Sequence, residues 1–194
     1  WAALPELPRQ LAAIEIAGPR IGAPGWSERF RDVVNEMQFG EIPAVVSITD
    51  SPASAAPLEE VRAIFDQFTI VRGVRVSGLG FSDYPDFASG DPMGTPPQSA
   101  WLASLIDLAA QYGRRVIIEL DGLEWTQLMA NTRHRAVYDA LREHPAVAVP
   151  MNSQRGPHSV VATSAVLGLW LEGAGIRSAI ETPRHAKNAK TLQS

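Results

Sequence analysis

Three carboxylates crowd one short stretch of the chain, RRVIIELDGLEW at residues 114–125, where Glu119, Asp121 and Glu124 follow an apolar run. The run reads as a strand over Arg115–Asp121, in which successive side chains point to opposite faces. Val116, Ile118 and Leu120 then share one face, and Ile117, Glu119 and Asp121 share the other. The apolar set belongs against helices, which turns Glu119 and Asp121 to the interior, with Cα atoms about 6.6 Å apart after two steps along the strand. Two carboxyl groups so placed repel each other. Burial adds to that effect, so one of them is favoured in the protonated form that a general acid needs. The structural alternative is that one of the pair meets an interior arginine such as Arg75.

Those residues need a scaffold, and the chain alternates β-rich apolar runs with helical patterns, as repeated βα units with a parallel sheet do. Six strands are expected: Leu11–Ala17, Ala44–Thr49, Gly73–Leu79, Arg115–Asp121, Ala146–Asn152 and Leu167–Gly173. Four helices fall between them. The first runs from a cap at Ser27 to about Gln38, with Gly40 just beyond it, and the second spans Pro57–Phe68. The third covers Pro97 to Tyr112 and stops at Gly113. The fourth covers Trp125 to His144, with His134 and His144 on or at the end of its solvated side.

Near-continuous apolar strands such as AVVSI and VLGLWL suit a sheet covered by helices. A (β/α) barrel and an open doubly wound sheet both satisfy this pattern. The phosphate-binding turn G-x-G-x-x-G of the open sheet is absent, so the TIM-type (β/α) barrel is preferred. A full barrel takes eight units and ~250 residues. Six strands in 194 residues, starting at Trp1 instead of a methionine, predict one barrel domain over 1–194 that is truncated at one or both ends.

Parallel barrels carry their chemistry on the loops after the strands. Here those loops hold Asp50, the long Gly80–Pro97 connection with Phe81, Asp83, Tyr84 and Phe87, then Asp121, Glu124 and Trp125, and finally Asn152, Gln154 and Arg155. The aromatic rings suit the apolar faces of sugars, although collapse into a hydrophobic loop is the commoner reason for such rings. Other chemistries lack their residues. There is no cysteine, and the four histidines show no metal-ligand spacing, so neither a metal nor any other cofactor is expected. No serine sits in a G-x-S-x-G elbow. A net charge of −4 argues against nucleic acid and anionic membranes, which need a concentrated positive field. No apolar run approaches the ~18 residues of a membrane span.

Taken in order, IPAVVSITD, FTIVRGVRVSG, WLASLIDLAAQYGRRVIIELDGLEW, AVYDALREHPAVAVPMNSQ and SAVLGLWLEGAGI resemble glycoside hydrolase family 98 from about Ile42 to Arg184. The resemblance implies a (β/α) barrel that cleaves galactose-containing glycans with two carboxyl groups and inversion, in an extracellular or periplasmic setting. It implies a carbohydrate substrate or ligand as the partner, and Asp121 as the base, with Glu119, Glu124 or Asp83 as acid candidates. Trp125, Asn152, Tyr84, Phe81 and Arg155 would then contact substrate. Two positions depart from the family pattern. Gly78 stands where the family's strand ends in glutamate, and Thr163 occupies a second acidic position. A barrel that binds glycan without cutting it, or that serves structurally, is the corresponding alternative.

Overall fold

The structure, a computed structural model, describes residues 13–18, 26–49, 55–81, 97–152, 164 and 167–173. Five strands, β1 (Ile14–Ala17), β2 (Ala44–Thr49), β3 (Val71–Ser77), β4 (Arg115–Leu120) and β5 (Ala148–Asn152), form one sheet in the order β1-β2-β3-β4-β5. Every pairing is parallel. Between them run helices α1 (Trp26–Phe39), α2 (Leu58–Gln67), α3 (Pro97–Gln111), α4 (Gly122–Ala130) and α5 (Arg135–Glu143). Crossovers between parallel strands are right-handed, so an order that always advances to the next neighbour keeps all helices on one side. A doubly wound sheet reverses its order to cover both faces. This fold is the barrel kind: α/β, an incomplete TIM-type (β/α) barrel.

Burial along the strands follows from that one-sided cover. In β4, Val116, Ile118 and Leu120 are fully buried, while Ile117 and Glu119 on the opposite face are partly open. In β3, Val74 and Val76 are buried, and Arg75 and Ser77 are partly open. The helical layer completes the core. Leu102, Leu105 and Ile106 of α3 are fully buried, and α3 packs against α5, which turns Val137, Ala140 and Leu141 inward. Where β3 and β4 begin, Gly73 is required by contact: a Cβ there would lie 2.4 Å from the Arg115 carbonyl oxygen. Gly113 ends α3 in the left-handed region at φ 62°, as its place after the helix predicts.

Three expected elements differ. The strand predicted at Leu167–Gly173 is helical over 167–171, with the Glu172 N–H bonded to the Gly168 carbonyl at 3.0 Å and Leu169 buried. A short apolar run carries no period that separates strand from buried helix. The single helix predicted over Trp125–His144 starts earlier and is broken in two by a 3₁₀ turn, Thr132–His134. Asn131 causes the break, because its side chain accepts the Arg133 N–H at 3.1 Å and so caps a new turn. Finally, the left-handed residue closing α1 is Glu41 (φ 51°), one beyond the expected Gly40.

The two faces of β4 should respond differently to truncation. Ile118→Ala leaves a cavity under the helices and should destabilise the chain by about 2–5 kcal/mol. Ile117→Ala, on the open face, should cost below about 1.5 kcal/mol. Denaturant unfolding of both variants checks this, and equal losses would contradict the facing described.

Candidate functional site

The sheet face that no described helix covers gathers charge across three strands. Glu15 from β1, Arg75 from β3 and Glu119 from β4 all project from it. Arg75 Nη1 donates to Glu15 Oε1 at 2.5 Å, and Nη2 donates to a Glu119 carboxylate oxygen. Side-chain exposure is 48% for Glu15, 26% for Arg75 and 18% for Glu119, so the triad is open to solvent at one end. Burial acts to lower the Arg75 pKa, but the hydrogen bonds to Glu119 and Glu15 outweigh it. The net shift is upward, and the guanidinium stays charged. Ser77 stands in register with Glu119, and its hydroxyl donates to the Thr49 carbonyl at 3.2 Å.

The expected interior pair of Glu119 and Asp121 is not assembled. Glu119 faces inward and meets Arg75. Asp121 lies just past the end of β4 as the N-cap of α4, where Oδ1 accepts the Glu124 N–H at 2.8 Å. Glu124 reciprocates, accepting the Asp121 N–H through Oε2 at 3.0 Å. Its other oxygen, Oε1, accepts the Gly80 N–H at 2.9 Å, and the residue is only 8% exposed. Glu124 thereby ties the start of α4 to the segment leaving β3. The spacing D-x-x-E at 121–124 is the signature of this capping box and is legible in the sequence.

Two expected sugar-stacking rings belong to the core instead. Trp125 is fully buried, with its indole N–H bonded to the Met151 carbonyl at 3.0 Å. Phe81 is 1% exposed and meets the His134 ring edge-on, with centroids 5.1 Å apart. Both are drawn under the strand ends because burial of a large aromatic surface outweighs its exposure to water. Asn152 ends β5 in register with Leu120. Asp83, Tyr84, Arg155 and Thr163 lie outside the described residues, while Gly78 follows β3 with φ 63°.

His134, expected on a solvated helix face, is buried. Its Nδ1 lies 2.7 Å from Ser99 Oγ, and its Nε2 has no hydrogen-bond partner among the described residues. Burial, assisted by the charge of Arg133, pushes the imidazole pKa down. His144 is half-buried and lies 3.3 Å from Asp107 Oδ1. Among the described residues no group of three or more His, Asp or Glu side chains is arranged to hold a metal ion, and no helix is long and apolar enough to cross a membrane. Two clefts, of about 240 and about 310 Å³, open between helices. Neither is lined by the strand-end carboxylates.

No family model and no curated protein matches the chain. Solved structures do match in fold. The catalytic module of a family 98 glycoside hydrolase from Streptococcus pneumoniae TIGR4, in its native form, superposes with a TM-score of 0.60 at 18% identity. The same module in complex with the H-disaccharide blood group antigen gives 0.60 at 20% identity, and with the LewisY pentasaccharide antigen 0.59 at 20%. Each alignment covers 78% of this chain and 27% of the other, so the chain spans about a quarter of the length of these modules.

Two tests address the contacts around the rim. Glu124→Ala strands two backbone N–H groups and should cost about 2–4 kcal/mol, more than Asp121→Ala at about 1 kcal/mol. Urea unfolding separates them, and a smaller loss at Glu124 would contradict the clamp. His134 has a folded pKa below its unfolded value near 6.5, so its stabilising contribution is complete above that value. It is lost as pH falls from there through the folded pKa. The stability difference between the wild type and His134→Gln should therefore shrink from pH 7.5 to pH 5. A constant difference would show that the buried ring does not titrate as described.

Proposed function

We propose that the chain is a glycoside hydrolase-like domain that binds galactose-containing glycans over the C-terminal ends of its strands and the open sheet face beside them. Parallel barrels use that end for their ligands. The observation that carries the proposal is the partly open polar surface at the end of β4. There Glu119, Arg75 and Glu15 offer charged donors and acceptors on a fold shared with modules solved in complex with blood group glycans.

Hydrolysis by this domain is the second reading. Inversion needs one carboxyl group to donate a proton and another, ~6.5–9.5 Å away, to activate water. Asp121, partly exposed at the strand end, is the candidate base. Among the acid candidates, Glu119 accepts from Arg75, and Glu124 accepts two backbone N–H groups. Those are tasks for a carboxylate, not for a proton donor. Asp83 is the remaining candidate. The partners of Glu119 and Glu124 therefore favour binding without cleavage.

Asp121→Asn separates the two, because asparagine caps a helix as well as aspartate does and leaves the fold intact. The wild type should bind the H-disaccharide or the LewisY pentasaccharide in calorimetry and release no sugar on prolonged incubation. Turnover that falls at least ~10²-fold in Asp121→Asn would establish hydrolysis instead. Absence of both binding and turnover would remove the proposal.

A further inference from the structure

We infer that Arg75, Glu15 and Glu119 form the polar floor of a site for uncharged glycans, in which Arg75 positions the two carboxylates and these take the sugar hydroxyls. The inference rests on the glycan-binding function proposed above. It adds which residues meet the ligand and which glycans are rejected.

Position supports it first. The three residues project from the sheet face that no described helix covers, and they reach from β1 to β4. That distance is on the order of 14 Å for three strand spacings. On the same face, Ile117, Val149 and Met151 are partly or fully open beside the charges. A row of charged acceptors flanked by apolar side chains matches a sugar ring, with hydroxyls at its rim and C–H groups on its faces. A structural role accounts poorly for the outer half of the arrangement, because a pair as exposed as Arg75–Glu15 contributes little to folding.

Chemistry then narrows the ligand. An ionised carboxylate only accepts hydrogen bonds, and a hydroxyl can donate to it. Arg75 has five N–H donors, of which one goes to each glutamate, so others remain for hydroxyl or ring oxygens. The triad sums to one negative charge, two carboxylates against a single engaged guanidinium. A sulfate or a sugar carboxylate seated on the triad would meet that net negative charge beside a guanidinium already engaged by both carboxylates, with the exposed Arg115 four residues before Glu119 on the same face of β4.

The test is calorimetric binding of the LewisY pentasaccharide and its sulfated form to the wild type, Glu15→Gln, Arg75→Lys and Arg75→Met, with circular dichroism as the folding check. The wild type should bind the neutral sugar about tenfold or more tighter than the sulfated one. Glu15→Gln, on an edge strand, should weaken neutral binding about tenfold and narrow the neutral-to-sulfated ratio. Arg75→Met should weaken it as much or more, and Arg75→Lys should recover part of the loss, which a purely structural arginine would not show as a change in the ratio. Folded variants that bind both sugars as the wild type does would overturn the inference and leave glycan binding standing. Equal affinity of the wild type for the two sugars would do the same. A wild type that binds neither sugar would remove both.

Discussion

The connections between strands all step in the same direction, and this decides where charge can reside. Helices occupy one side of the sheet, so Val116, Ile118 and Leu120 of β4, and their counterparts Val74 and Val76 of β3, are sealed beneath them. A strand side chain that carries charge must then lie on the opposite face, because a charge under the helices would lose its hydration with nothing to replace it. The period of two does the rest. Glu15, Arg75 and Glu119 occupy alternate positions in three parallel strands, and the in-register pairs Ser47 with Arg75 and Ser77 with Glu119 fix how far each stands along the sheet. A slip of one residue in β3 would bury Arg75 and expose Val76.

Above that face, the rim is organised by backbone hydrogen bonds. Glu124 spends both carboxylate oxygens on N–H groups, one from Asp121 and one from Gly80. The ends of β3 and β4 are thereby held together by a single buried side chain. Asp121 is part of the same unit, since its side chain satisfies one of the donors that the first turn of α4 leaves without an intrahelical partner. Trp125 and Phe81 fill the space below. The acidic character of DGLEW is therefore largely consumed in starting a helix, and the carboxylates open to solvent belong to the layer beneath.

Much of this was legible in the sequence, and the failures share a cause. The strand over Ala44–Thr49 follows from its near-continuous apolar run, and the two faces of β4 follow from simple alternation. The barrel order follows from repeated βα units. Residue type alone marks Asp121 for chemistry, and the D-x-x-E spacing of the same stretch also spells a helix start. A single helix from Trp125 to His144 would carry its phase unbroken to His134 and leave the ring in water. Once Asn131 caps a new turn, the phase restarts and the ring points into the core beside Ser99. Phe81 and Trp125 could not be assigned from type alone, since an aromatic ring near a strand end serves a core and a binding surface equally well. What decided Trp125 was a partner 26 residues away, the Met151 carbonyl, and only the fold brings that partner near.

The triad also differs from the rim in what it does for folding. Breaking the Glu124 clamp leaves two part-buried N–H groups without that partner, a cost of about 2–4 kcal/mol together. An ion pair as open as Arg75–Glu15 is worth about 0–1 kcal/mol. Stability therefore resides mainly in the apolar face and in the backbone contacts of the rim, and the exposed outer edge of the charged face at Glu15 contributes little to it. Substitutions at Glu15 and Arg75 can consequently report on recognition without unfolding the sheet that presents them. The same separation lets a barrel keep its architecture while the side chains on its open face change from one ligand chemistry to another.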